Sequence, residues 1–339
     1  LTVITNGDYR LHEINAAVFS DYLAFIRTTL VNLEHLDLSQ ARFYNDTIPR
    51  SALESRKNIE YAYNLPKGNL PKLERVDLPP VVSVDWYAFR NLPALKNINL
   101  PNTRHIAAQA FEGCVSLRAV NAPKLETLGQ GAFFRGESLS GIVLPKLNVL
   151  EGDAFASSQV NRIALPRTVT INTYDFSVET LLLLDRKHEN RLGKIKIHQN
   201  SPLDILVNGR FELSKDFFVP YSSDMHPTRI FLHPYTMPHF NPQLTAEEIT
   251  VAVGTSADIP IRFTDKNVSL GMAWGHSDNP SSAQITADGK ISALAPGNAV
   301  LTLTDIVADV TLQAGKNAHV FSNWPVELKN PLQLRVKVE

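Results

Sequence analysis

The sequence predicts a solenoid of short parallel strands followed by an all-β sandwich. Four observations predict it. An apolar mark recurs at Leu73, Leu95, Leu117, Leu139, Val160 and Leu181, at steps of 22, 22, 22, 21 and 21 residues. After every mark but the last the same letters return, from Leu73-x-x-Val76-x-Leu78-Pro79 and Leu95-x-x-Ile98-x-Leu100-Pro101 to Val160-x-x-Ile163-x-Leu165-Pro166. Each unit then carries an aromatic, at Phe89, Phe111, Phe133, Phe155 and Phe176, preceded in all but the last by Ala88, Ala110, Ala132 or Ala154. Beyond Pro242 the period is gone, and short alternating strands separated by turn residues replace it.

The letters explain the expected fold. Residues two apart on a strand share a face, so Val76 and Leu78, and their copies, turn to one core. The proline that follows lacks an N–H and is expected to end the ladder. One unit cannot bury its Leu and Phe alone, but stacked units make a continuous core. Each Phe is expected to plug that core from the convex side, which should be irregular or built from short helices. Agreement of five registers at Leu, Ile/Val, Pro and Phe excludes chance spacing. A fixed period of roughly 20–29 residues with an L-x-x-L-x-L core is that of a leucine-rich repeat.

Ile106-x-x-x-Ala110-Phe111-x-Gly113-Cys114-x-Ser116-Leu117-x-x-Val120-x-x-Pro123 resembles the repeat of BspA-like surface proteins of anaerobic bacteria. The resemblance is close over about residues 70–181 and loose beyond. It implies a surface-exposed or secreted protein that adheres to host matrix proteins or to other cells.

Residues 1–32 carry no repeat and are expected to cap the solenoid, with Ile14 to Leu30 mostly helical. Asn15-Ala16-Ala17-Val18-Phe19 resembles the element that precedes the first repeat in that family. Leu33-x-x-Leu36-Asp37-Leu38 reads as the first repeat strand, and Ile48 to Leu53 as its second half, with Leu53 in the Phe position. Between Ile59 and Leu73 the register slips. After Leu181 the pattern decays; Lys194–His198 alternates as a strand, and Phe217–Pro220 and Arg229–Pro234 read as degenerate copies of strand-plus-proline. The solenoid with its irregular C-terminal cap is thus expected over 33–240, and Pro234–Pro242 is the expected linker.

Residues 243–339 read as short strands at Ile249–Gly254, Ile259–Phe263, Ala283–Ile285, Lys290–Ala293, Gly297–Leu301 and Leu332–Val338. Asp288-Gly289 signals a hairpin. With Trp274 and Ser277-Asp278-Asn279-Pro280, this order is similar to the bacterial immunoglobulin-like group 2 domain. Gln313–Trp324 departs from that pattern and reads as an insertion or edge loop.

Composition excludes several classes. With 339 residues and net charge −1 the chain lacks the basic excess of a general nucleic-acid binder. The longest aliphatic run, Leu181–Leu184, is four residues, far short of a membrane span. The first residue is Leu, so a processed chain is expected, with room for a lipid anchor on a removed N-terminus. The single cysteine, Cys114, allows no internal disulfide and reads as a small buried hydrophobe rather than a reactive thiol.

Catalytic motifs are missing: there is no H-E-x-x-H, G-x-S-x-G or Walker loop. His276-Ser277-Asp278 are sequence neighbours and so cannot converge as a triad. His226, His233 and His239 could approach each other as metal ligands, but no carboxylate or Cys completes the set, and three separate histidines are expected. Asp258, Asp265 and Asp278 lack calcium-loop spacing. Trp86-Tyr87 and Trp324 could stack on sugar rings, though packing is the commoner role. No cofactor and no metal are expected.

What remains is surface. On the concave face the outward positions are Arg75 and Asp77, Asn97 and Asn99, Ala119 and Asn121, Gly141 and Val143, and Arg162 and Ala164. Arg75, Asp77, Asn97, Asn99, Asn121 and Arg162 are the candidate binding residues, for an extracellular protein or a glycan. The sequence thus predicts a monomeric, non-enzymatic binding and adhesion protein at the bacterial cell surface, with the second domain as spacer or further module. The alternative is a polysaccharide-binding accessory protein of a surface glycan-utilisation system. A hydrolase would need clustered carboxylates in a cleft, which the spacing does not provide.

Overall fold

The computed structural model describes residues 23, 25, 26, 28–55, 70–160, 162–166, 171–172, 180–185, 195–197, 203–208, 218–220, 230–235, 239–314 and 317–339. The chain divides into two compact units, Leu1–Tyr235 and Thr236–Glu339. Leu23, Phe25, Ile26, Thr28 and Thr29 are helical, as the apolar spacing predicts. The start of that helix, with Asn15–Phe19, the register slip over 56–69, Phe176 and His226 lie outside the described residues.

In the first unit each repeat contributes two strands, so odd and even strands build separate sheets. The odd strands are β1 (His35–Asp37), β3 (Arg75–Asp77), β5 (Asn97–Asn99), β7 (Ala119–Asn121), β9 (Gly141–Val143), β11 (Arg162–Pro166), β13 (Thr180–Asp185), β15 (Leu203–Asn208) and β17 (Ile230–Tyr235). All pair in parallel, β1 with β3, β5 with β7, and β9 through β17 in one five-stranded sheet. The even strands are β2 (Thr47–Ile48), β4 (Ser83–Val84), β6 (His105–Ile106), β8 (Thr127–Leu128) and β10 (Val149–Leu150), then β12 (Ile171–Asn172), β14 (Ile195–Ile197) and β16 (Phe218–Pro220). They form parallel sheets of five and three strands.

This second ladder stands where short helices or irregular chain were expected. Among the described residues the first unit's only other helical turn is Tyr44–Asp46. The reason is local. Two rows of left-handed residues recur, Tyr87, Gln109, Gly131 and Asp153 at φ 57–64°, and Asn91, Gly113, Arg135 and Ser157 at φ 56–72°. A left-handed residue breaks a right-handed helix. The amides between them also bond across repeats: Leu53, Phe89, Phe111 and Phe133 donate N–H to the carbonyls of Ala88, Ala110, Ala132 and Ala154 at 2.7–2.8 Å. These alanines are fully buried, which accounts for the small residue before each Phe.

The core lies between the two ladders. Phe89, Phe111, Phe133 and Phe155 stack face to face, with centroids 5.0, 5.3 and 5.7 Å apart and planes within 9°. Leu53, also buried, occupies the same position in the first repeat. Around the column pack Leu73, Leu95, Leu117, Leu139 and Val160 with Val76, Ile98, Val120 and Ile142.

Three readings of the repeat are corrected. The proline does not always end the ladder: Pro166 pairs with Asp185, because its carbonyl remains available when its N–H is gone. The mark at Leu181 is out of register, since Leu181 pairs with Arg162 and Leu182 with Ile163. Phe218–Pro220 belongs to the even sheet, not to the leading strands. β15 shows that parallel pairing outlasts the letters: Leu182 pairs with Ile205 and Ile205 with Leu232.

In the second unit β18 (Pro242–Leu244) pairs antiparallel with β21 (Ile261–Phe263). β25 (Gly297–Ala314) is the longest strand, with β22 (Val268–Ser277) along one edge. Along its other edge lie β27 (Leu332–Val338) and then β26 (Asn317–Val326). β19 (Glu248–Val251) runs parallel to β27. β20 (Ser256–Asp258), β24 (Lys290–Ala293) and β23 (Ala283–Ile285) form a three-stranded antiparallel sheet. Gly289, at φ 71°, turns β23 into β24 as Asp288-Gly289 predicts.

Within the expected loop at Gln313–Trp324, the described residues 313–314 and 317–324 are strand instead. A bulge concealed it: Ala308 faces Trp324 and Val310 faces Phe321, so Ser322 and Asn323 together oppose Asp309 and the alternation skips. The Asp309 carboxyl accepts hydrogen bonds from the Ser322 side chain and the Asn323 amide, while burial pushes its pKa up.

Two stability predictions follow from the packing. Phe111→Ala opens the middle of the column and should cost about 3–5 kcal/mol in urea denaturation. Gly113→Ala should cost about 1–2 kcal/mol for its left-handed backbone alone. The added Cβ would also stand 2.4 Å from Asn91 Oδ1.

Candidate functional site

The candidate residues sit on the odd strands, but most are not open to solvent. Arg75 is 9% exposed, Asn97 2% and Asn121 3%, with Ala119, Val143 and Ala164 equally covered. Asp77, Asn99 and Arg162 are half-buried. The expectation of a solvated polar strip is thereby corrected. Neighbouring strands stand only about 4.8 Å apart, so each outward side chain is hidden between its copies above and below. Several of the polar ones also bond each other, although Asn121 Oδ1 is buried without a partner among the described residues. The Asn121 amide donates to Asn99 Oδ1 at 2.8 Å. Arg75 Nε donates to Asp77 Oδ1 at 2.8 Å, and His35 Nε2 lies 2.6 Å from Asp77 Oδ2.

Asp77 is thus the centre of a three-residue network joining β1 to β3. Burial raises its carboxyl pKa, but the His35 hydrogen bond and the Arg75 charge outweigh burial and leave it below the usual value of 3.8. Arg162 stands apart on β11, facing Gly141.

Other candidates resolve into packing. Cys114 is buried, and its thiol lies 3.1 Å from the Phe89 carbonyl as donor. Burial pushes its pKa up to about 12. Trp324 is buried against Phe240 and Phe321. Asp278 accepts the Val300 amide at 2.7 Å, Asp265 accepts the Asn267 amide at 2.9 Å, and Asp258 pairs with Lys290. Each closes its own turn or strand edge. Among the described residues no group of three His, Cys, Asp or Glu could hold a metal ion.

The open feature is elsewhere, on the even strands. A groove of about 450 Å³ is lined by Thr47, Ser83, His105 and Thr127, then Asp85, Ala107, Gly129 and Glu151, with Trp86 beside them. The first residue of each two-residue strand points out, while Ile48, Val84, Ile106 and Leu128 turn in and are buried. His105 Nδ1 lies 2.9 Å from Thr127 Oγ1. The floor is bare at Gly129, where a Cβ would come within 2.6 Å of the Ala107 and Ala108 backbone. Trp86 is 48% exposed. Its ring is braced by the Arg50 guanidinium, 5.5 Å from the centroid, and by the edge of Tyr87 at 6.4 Å. Of these residues only Trp86 and Tyr87 were singled out in the sequence. The row Ser83, His105, Thr127 shows in the sequence as polar positions at the repeat spacing, each just before a buried aliphatic.

Residues 68–182 match the BspA type leucine rich repeat region, in six copies. No curated protein matches the chain. A BspA type region suggests protein–protein interaction at a surface in general terms, and proteins with such regions are typically surface-associated. Among the described residues no helix is long and apolar enough to cross a membrane.

Two outcomes are expected. Because the Asp77 pKa is lowered, its network contributes stability above the unfolded carboxylate value and loses it as pH falls through the folded value. Asp77→Asn should therefore lower Tm at about pH 7 and shrink the Tm loss between about pH 5 and about pH 2, read by circular dichroism. Cys114 should resist a thiol reagent in native buffer and react once urea unfolds the chain.

Proposed function

We propose that the chain is a non-enzymatic extracellular recognition protein of the cell surface, its first unit a leucine-rich repeat solenoid that binds another protein. The BspA type region over 68–182 is the observation that carries this reading. The stacked backbone supports it physically. Side chains held in place by copies in neighbouring repeats lose little freedom on binding, so less ordering opposes association. The half-buried Asp77 and Asn99, with Arg75, Asn97 and Asn121 bonded or packed around them, make the polar end of the odd-strand face the contact surface. Arg162, in a separate sheet, stands at its far edge.

We further read the second unit as an immunoglobulin-like β-sandwich serving as spacer or second adhesion module. The buried Trp274 and the Asp288-Gly289 hairpin support that reading. The ligand class is an extracellular protein, whether of host matrix or of another cell.

The test is surface plasmon resonance of the full chain over immobilised extracellular-matrix proteins. Saturable binding that weakens at least about tenfold in the double variant Asp77→Ala, Asn99→Ala is expected. Binding to none of them, or binding that the double variant leaves unchanged, would overturn the assignment to this face.

A further inference from the structure

We propose that the groove on the even-strand face binds a neutral oligosaccharide chain, independently of protein recognition on the odd-strand face. Four observations carry this. First, the groove has a repeating polar edge. Thr47, Ser83, His105 and Thr127 come from four adjacent strands, β2, β4, β6 and β8. Adjacent strands step by about 4.8 Å, close to the length that one pyranose ring adds to an extended glycan. Each successive sugar along the groove therefore meets a donor or acceptor in the same relative place. Among the described residues the Ser83 hydroxyl has no hydrogen-bond partner within the protein.

Second, the groove has an aromatic platform. Trp86 lines it and stays half exposed, although the surrounding apolar residues are buried. Arg50 and Tyr87 hold the indole in position, so little side-chain freedom is lost when a sugar ring stacks on it. An indole beside polar groups matches a sugar, which has an apolar C–H face and a rim of hydroxyls.

Third, the charges select. The lining includes Asp85 and Glu151 and, among the described residues, no Lys or Arg. Asp85 Oδ1 accepts the Trp86 amide at 2.6 Å, and Glu151 Oε2 accepts the Gln130 amide at 3.0 Å. Both carboxylates are thereby fixed by the backbone, and each has a second oxygen to accept sugar hydroxyls. They repel phosphate, sulfate and uronate, so nucleic acids and acidic glycans are disfavoured. Fourth, Ala107, Ala108 and Gly129 bring at most a methyl group each to the lining, so a ligand can lie close to the chain there.

The experiment uses the full chain on an array of neutral oligosaccharides, followed by calorimetry with the strongest binder and with a heparin hexasaccharide. Binding of a neutral glycan is expected, weaker by at least about tenfold in Trp86→Ala and also weakened in His105→Ala, with no binding of heparin. Circular dichroism establishes that each variant is folded. If Trp86→Ala is not, His105→Ala and Thr127→Val carry the test, since all three side chains line the groove. Binding to no neutral glycan, equal binding by the folded groove variants, or tighter binding of heparin would each overturn the proposal. Asp77→Ala with Asn99→Ala leaves glycan binding intact if the two faces act separately. Loss of glycan binding in that double variant would overturn their independence.

Discussion

The structure of the first unit depends on one constraint: each group must meet its own copy in the next repeat. Phe111 stacks on Phe89 and Phe133, and the Phe111 amide reaches the Ala132 carbonyl. The ion pairs obey the same rule. Lys96 meets Glu74, Arg90 meets Glu112, and Arg104 meets Glu126, each across a separation of 22 residues. The Thr103 hydroxyl likewise donates to the Val81 carbonyl 22 residues earlier. Of these ion pairs Arg104 with Glu126 is exposed and contributes little, while the other two are part-buried, and the apolar column and backbone ladders carry most of the stability. Because the bonds run from repeat to repeat, a coil gains its stability from its neighbours and little from itself.

That constraint also explains why the polar strip closes on itself. A position whose copies repeat at strand spacing has like neighbours on both sides. Asn99 and Asn121 solve this by bonding to each other, and Arg75 and His35 by both pairing with Asp77. A uniform row of one charge would repel itself, and here the row mixes Asp, Asn, Val and Ala instead. The even face behaves differently. Its outward residues sit on two-residue strands flanked by turns, and Gly129 and Ala107 bring little side chain to fill the space. A groove persists there for want of bulk.

The repeat was legible because its signals are redundant: Leu, Val, Pro and Phe each mark the same period. What escaped was whatever the period does not encode by side-chain type. The left-handed rows hold Tyr, Gln, Gly and Asp at one position and Asn, Gly, Arg and Ser at the other, so no letter announces them. The second ladder escaped because two-residue strands are too short to show alternation. β26 escaped because the bulge at Asn323 shifts its phase midway. The residues flanking Val76 and Ile98 on the odd strands are largely covered, as Val76 and Ile98 themselves are. Their exposure was misjudged, because direction follows from one strand whereas burial depends on its neighbours.

The left-handed rows carry a consequence for how such a chain can change over generations. Tyr87 and Asn91 are answered one coil later by Gln109 and Gly113, and then by Gly131 and Arg135. Inserting or deleting one residue inside these turns misplaces the amides and carbonyls that bond to the neighbouring coils. Duplicating a whole coil displaces none, since the new copy meets the same groups on both sides. Gene duplication can lengthen the stack coil by coil while the face chemistry of each coil drifts separately. A small indel is tolerated only outside the paired segments, as the 21-residue step from Leu139 to Val160 and the longer step from Ile205 to Leu232 show.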